Sequence, residues 1–293
     1  MPTFICLHCS GSSARQWTGL AAALAPRHPT ILPDLIGYGD GPPIAEAGVT
    51  LDDEASRIAA IVDATHGPVC LVGHSYGGAV ATRVALRRRD RVVGLALYEP
   101  VLFSLIARGA DADPAGREIV ATGLSISTDV RSGRLEQAAR RFVDYWSGDG
   151  AWQAMDPRRR QGVCARMPKV AQEFAALFDD AEPLSVYARL TMPVLWLEGE
   201  TTRTPPQAVA RRVVPALADA RHVRIPGAGH MGPITHAQAV NVEILRFVRS
   251  LVHRGRPTAA GAAATKAART PAPGASPMPA TPAHRSAAAE FVL

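Results

Sequence analysis

The chain has 293 residues, a net charge of +6, 47% hydrophobic residues and four cysteines, which suits one large domain with room for an insertion. The basic surplus is uneven: from Arg254 to Leu293 five basic residues face only Glu290, so four of the six net charges lie there and the near-neutral remainder has no electrostatic footprint for nucleic acid. No apolar run reaches transmembrane length, the N-terminus lacks the basic start and cleavage site of a signal peptide, and Cys6, Cys9, Cys70 and Cys164 lack metal-ligand spacing, so free thiols in a reducing, cytoplasmic setting are expected.

In chain order, Thr3–Leu7 reads as a buried strand. It runs into a loop of small polar residues, His8–Ser13, and then a helix from about Ala14 to Leu24. A second strand over Thr30–Leu35 precedes the glycine-rich turn Ile36–Gly41. That turn lacks the Lys-Ser/Thr of a phosphate-binding loop and reads as structural. Thr50 to Asp53 offers a capping-box variant for a helix with Leu51, Ala55, Ile58 and Val62 on one face. The apolar run Val69–Val72 then enters Gly73-His74-Ser75-Tyr76-Gly77-Gly78 and a helix rich in small residues that continues to Leu86. Strand, sharp turn and helix are the context in which G-x-S-x-G exposes a serine hydroxyl above the end of a sheet.

Val92–Tyr98 is the next buried strand, ending at Glu99-Pro100. Beyond it the alternation of strand and helix stops, and 134–146 and 163–178 both read as helices. Phe142, Tyr145, Trp146, Trp152, Met155 and Met167 fall in this region; they either line an apolar pocket or pack the segment onto the body. Pro193–Leu197 resumes the sheet, a helix follows around Gln207–Val214, and His222–Ile225 is a last short strand. Pro226–Gly232 forms a glycine-rich turn around His230. The closing helix is expected near Thr235, with Gln238 in capping-box position. After residue 253 Ala, Pro, Thr and Ser dominate, a composition expected to stay disordered.

From about Thr3 to Val252 the chain resembles the α/β-hydrolase family, on the strength of Gly73-His74-Ser75-Tyr76-Gly77 in its strand–helix context and Gly-Ala-Gly-His230-Met after the last strand. The resemblance implies a mostly parallel sheet with helices on both faces and an inserted helical lid, with catalytic residues in the order Ser, acid, His. By this resemblance the chain starts at the family's third strand, which implies either a sheet lacking the first two strands or a wrongly assigned start site. The core would comprise 1–100 and 191–253, the lid 101–190 and the basic tail 254–293. The same resemblance makes the backbone N–H groups of Ser10 and Tyr76 the oxyanion donors, although Cys9 stands where the family carries glycine.

A serine hydroxyl needs a base within hydrogen-bond reach, and the base needs an orienting acid. His230 has the position and glycine context of that base. His74 flanks Ser75 and is expected to point away from the site; His8 opens the oxyanion loop in a structural role; His28, His66, His222, His236, His253 and His284 read as surface residues. The acid is ambiguous. The family's usual position after Val194–Leu197 holds Thr202. Glu99 at the end of the preceding strand and Glu200 in the expected loop both satisfy chain order, with Glu198 at the strand end; position favours Glu99 over Glu200.

The expected function is hydrolysis of an ester or similar acyl bond of a small, largely apolar molecule through an acyl-serine, needing no metal or organic cofactor. Thioester, lactone and carbon–carbon bond hydrolysis stay open, as does a ligand-binding protein on a hydrolase scaffold. A nucleic-acid or membrane partner recruited by the basic tail is disfavoured, and the oligomeric state is not legible.

Overall fold

Short apolar runs alternating with amphipathic helices give a six-stranded parallel sheet. The computed structural model describes residues 1–46, 48–108 and 113–254; the expected disordered tail lies outside them. The strands are β1 (Thr3–Leu7), β2 (Thr30–Ile31), β3 (Val69–His74), β4 (Val92–Tyr98), β5 (Val194–Gly199) and β6 (Ala220–Ile225). Their order across the sheet is β2-β1-β3-β4-β5-β6. The described residues thus form the mostly parallel sheet that the sequence predicted.

Strands β1, β3 and β5 are buried at every position, as expected where helices cover both faces. Alternate side chains feed two separate cores. Ile5, Leu7, Leu71 and Leu95 face one side, packed with α2 (Leu51–Ala64), α3 (Tyr76–Arg87) and α9 (Thr204–Val213). Phe4, Cys6, Cys70 and Val72 face the other, under α1 (Thr18–Leu24) and the closing helix α11 (Ala237–Arg254). Between β4 and β5 the chain forms α4 (Ser104–Ala107), α5 (Pro114–Arg131), α6 (Leu135–Ser147), α7 (Ala151–Ala154) and α8 (Pro157–Asp179), with no strand among the described residues. The short α10 (Gly232–Thr235) follows the turn after β6.

The capping box at Thr50 forms as read: the Asp53 N–H donates to Thr50 Oγ1 at 3.1 Å and the Thr50 N–H to Asp53 Oδ2 at 2.9 Å. Four expectations need correction. Strand β2 ends at Ile31 rather than Leu35, because Pro33 has no N–H to offer a ladder and Asp34 turns its carboxylate to the N–H groups of Ala14 and Asp40. The helix after β1 opens as a 3-10 turn over Ala14–Trp17. The closing helix is broken at His236, and Thr235 ends the short α10 with its hydroxyl on the Met231 carbonyl, so no box forms with Gln238. His28 is buried at 6% exposure, edge-on to Phe4, and is not a surface residue.

Candidate active site

The carboxyl ends of β3, β4 and β5 and the turn after β6 meet at one edge of the sheet, where open α/β sheets place their ligands. Ser75 occupies the turn from β3 into α3 with φ 54° and ψ −119°, outside the favoured regions for a side-chain-bearing residue. The turn fits because its neighbours are small. A Cβ on Gly73 would lie 2.6 Å from the Gly77 oxygen and the Gly78 Cα, and one on Gly77 would lie 2.6 Å from the Leu7 oxygen. Glycine at these two positions lets the turn press against β1 while lifting Ser75 off the sheet.

Ser75 Oγ lies 3.0 Å from His230 Nε2. On the other side of the ring, His230 Nδ1 is 2.6 Å from Glu99 Oε2. Glu99 follows β4 at φ 43°, the second non-glycine residue with positive φ among the described residues. Its carboxylate is fully committed: Oε1 accepts from the Gly199 N–H at 2.7 Å and Oε2 also accepts from the Thr202 hydroxyl at 2.8 Å. A carboxylate with those donors leaves Nδ1 of His230 carrying the proton, so Nε2 is the acceptor facing Ser75. Ser75, His230 and Glu99 are all buried.

The structure brings Glu99, not Glu200, to His230. Glu200 sits on the surface, where its carboxylate accepts from the Gly227 N–H at 2.9 Å. Glu198 is engaged with His222 at 3.3 Å and Arg224 at 3.5 Å. Thr202, at the position where an aspartate was expected, donates to Glu99.

His74 does not simply point away. Its Nε2–H donates to the His230 carbonyl at 2.8 Å, and its Nδ1 accepts from Gln16 Nε2 at 3.0 Å. Gln16 Oε1 in turn accepts from the Cys9 N–H at 3.1 Å. A continuous hydrogen-bond relay therefore joins the loop after β1 to the backbone of His230. Burial, reinforced by the neighbouring His230, holds the His74 pKa well below the ordinary histidine range, so its ring stays neutral and keeps one donor and one acceptor. Neither Gln16 nor this use of His74 was read from the sequence; both partners lie far from His230 in the chain, and only folding juxtaposes them.

Ser10 lies in the loop after β1 and shares a cavity wall with Ser75. Among the described residues its N–H donates to no protein acceptor. Tyr76 is the first residue of α3, where helical geometry leaves the N–H without an intrahelical partner. The Cys9 peptide is pinned instead of flexible: besides the Gln16 bond, its carbonyl accepts from His8 Nδ1 at 2.8 Å and from the Ser12 N–H at 3.2 Å. Burial pushes the Cys9 thiol up to about 12 and lowers His8 to about 4, so both stay neutral at pH 7.

Ser75 and His230 open on a cavity of about 20 Å³ walled largely by apolar groups, among them Val101, Phe103, Phe142, Trp146, Phe174 and Leu177. Of the candidate aromatic and methionine residues, Phe142 and Trp146 reach this wall, whereas Trp152 and Met167 are core residues. The Trp146 ring lies 4.0 Å from the His230 ring and stacks on Phe103. Trp146, His230 and Met231 also border a larger outer cleft of about 450 Å³. One polar side chain in the inner wall was missed by the sequence reading, Glu173 of α8. Its signal was a charge within the apolar stripe Val170, Phe174 and Leu177. Among the described residues no group of three or more His, Cys, Asp or Glu side chains is arranged to hold a metal, and no helix is long and apolar enough to cross a membrane.

This serine, histidine and carboxylate lie at the carboxyl edge of a parallel sheet flanked by helices, and the comparisons give the family of that fold. The chain belongs to the alpha/beta hydrolase family, whose model matches residues 4–243. It is 34% identical over 155 residues to lipase LipV of Mycobacterium tuberculosis, a match that takes in 52% of this chain and 51% of the lipase, so the chain spans about half the length of that relative. It is 29% identical over 260 residues to a pimeloyl-[acyl-carrier protein] methyl ester esterase of Xanthomonas oryzae pv. oryzae, covering 85% of this chain and 96% of the relative. Among solved structures, a thermophilic esterase from Thermogutta terrifontis superposes with a TM-score of 0.69 at 22% identity, over 86% of this chain and 90% of the other. That likeness speaks for the fold.

Proposed function

We propose that the protein is a serine hydrolase that cleaves an ester-type acyl bond of a small, largely apolar substrate through an acyl-serine intermediate. The observation that carries this reading is the hydrogen-bonded series Ser75 Oγ, His230, Glu99, with separations of 3.0 and 2.6 Å. Gly73-His74-Ser75-Tyr76-Gly77 acts as a nucleophile elbow. Ser75 Oγ attacks the acyl carbon while His230 Nε2 takes its proton, and the carbonyl electron pair moves onto oxygen. The N–H groups of Ser10 and Tyr76 hold that oxyanion, an arrangement in which one donor is typically worth about 10²–10³ in rate. His230 then returns the proton to the leaving oxygen. A water, deprotonated by His230, releases the acid and restores Ser75. Glu99 orients the imidazole and stabilises its cation without itself taking the proton.

The segment 101–190 serves as a lid over a core made of 1–100 and 191–253. The small volume of the inner cavity fits this role: a substrate enters when the helices bordering Trp146 move. The names of the lipase and methyl ester esterase relatives support ester-type substrates. The buried free thiols Cys6, Cys9 and Cys70 suit a reducing cytoplasm.

The test is covalent labelling with a fluorophosphonate, read by intact mass. One adduct is expected on the wild-type protein and none on Ser75→Ala. Folded wild-type protein that takes no adduct, or an adduct that persists in Ser75→Ala, rejects the reading.

A further inference from the structure

Glu173 is a fully buried carboxylate in the wall of the Ser75 cavity, and the proposed chemistry makes no use of it. Its two oxygens differ. Oε2 accepts from the Tyr38 hydroxyl at 3.0 Å, and Tyr38 in turn accepts from the Gly11 N–H at 3.0 Å. Among the described residues Oε1 makes no hydrogen bond of good geometry, although the Ser10 hydroxyl lies near enough to draw the carboxyl pKa down. The nearest cation, Lys169 Nζ, stands 3.6 Å from Oε1, while its shorter contact, 2.8 Å, is to the buried Glu54. Leaving a buried carboxylate oxygen unsatisfied is costly, and in a wall made largely of apolar groups Oε1 is an acceptor waiting for a donor.

We propose that Glu173 is a specificity-determining residue whose Oε1 accepts a hydrogen bond from an uncharged hydroxyl on the substrate, so that the preferred ester has an apolar body bearing one hydroxyl. This rests on the serine hydrolase reading above. An uncharged donor is favoured over an ammonium because Lys169 already places a cation beside Oε1. A hydroxyl, as the smallest such donor, suits the narrow cavity. Discrimination follows from the asymmetry of hydrogen bonding: a site that binds a hydroxyl through a buried polar group strongly rejects the analogue lacking it, whereas an apolar pocket separates the two only weakly.

The experiment compares kcat/KM at pH 8 for two isosteric pairs, methyl 3-hydroxybutanoate against methyl 3-methylbutanoate, and 2-hydroxypropyl butanoate against isobutyl butanoate. The first pair places the hydroxyl on the acyl side and the second on the alcohol side. In the wild type the hydroxyl member of one pair is expected to lead by at least ~10-fold. Glu173→Leu should abolish or reverse that preference. Glu173→Gln, whose amide oxygen still accepts but without charge, should fall between. The rate of fluorophosphonate labelling reports whether each variant keeps a folded site; if Glu173→Leu is not labelled, Glu173→Gln decides alone, with at least a ~3-fold fall in preference expected.

A purely structural Glu173, holding Tyr38 and the loop after β1, would slow both members of a pair equally and leave their ratio unchanged; that result overturns the inference. So does a wild-type ratio at or below one in both pairs. Ser75-dependent hydrolysis without discrimination removes only the role of Glu173. Absence of Ser75-dependent hydrolysis of all four esters rejects the proposed function and the inference falls with it.

Discussion

At the scale of single residues, a carboxylate is defined by its donors. Glu99 has three, from His230, Thr202 and the Gly199 backbone, and it sits at a positive φ that only a well-fixed environment sustains. Glu200, one residue past the end of β5, accepts from one backbone N–H at the surface. In the proposed mechanism Glu99→Gln removes the charge that fixes the His230 tautomer and stabilises its cation, so kcat should fall by about 10³–10⁴-fold. Glu200→Gln should change kcat by less than about threefold, as a surface substitution outside the site. Steady-state kinetics on one chromogenic ester checks both, and the reverse ranking would reassign the acid. The sequence narrowed the acid to these carboxylates by chain order and favoured Glu99 by its position at the end of β4. Choosing between them required knowing which oxygen lies beside Nδ1, and that is a distance between residues 131 positions apart.

At the scale of elements, the loop after β1 and the turn after β6 are separate pieces of chain coupled through Gln16 and His74. The relay fixes the His230 carbonyl from behind, while Tyr98 donates to the Gly229 carbonyl at 2.7 Å from the side. His74→Ala should therefore lower kcat through misplacement of His230, by about 10-fold to 10²-fold, since displacements near 1 Å carry costs of that order. KM should change little, because His74 does not line the cavity. A fall in fluorophosphonate labelling rate in step with kcat would confirm the positioning role; a changed KM with an intact kcat would refute it. Element boundaries show the same dependence on context. Strands β3 and β4 were legible because buried apolar runs bounded by turns admit little else. Helix α5 was missed because Thr122, Gly123, Ser125, Thr128 and other weak helix formers dilute its apolar periodicity; it holds as a helix through packing against α6 and α8 and an Asp113 cap.

At the scale of the whole molecule, Lys169 and Glu173 of α8 reach across to Glu54 of α2 and to Tyr38, so a buried charge cluster ties the helical segment to the body. Burial raises the Glu173 pKa from 4.5 to about 7, against the pull of Lys169, Ser10 and Tyr38 and with the push of Glu54. An acid whose folded-state pKa lies above its unfolded one binds more protons when folded than when unfolded across that interval. The stability associated with its neutral form is therefore complete below pH about 4.5 and is lost as pH rises through about 7. Thermal unfolding of wild type and Glu173→Gln across pH 5–8 should show the variant gaining several degrees relative to wild type over that range. A pH-independent difference would mean that Glu173 is already ionised throughout.

The sequence by itself determined the alternation of strand and helix, the sharp turn at Ser75 and the candidacy of His230, because those properties reside in short stretches where glycine sterics and apolar periodicity act locally. Tertiary structure alone decided that Thr202 serves Glu99, that His74 braces His230, and that Glu173 stands in the wall beside Ser75. Each of these is a contact between side chains remote in sequence, and their geometry exists only once the sheet brings its strand ends to a common edge and α8 packs over them.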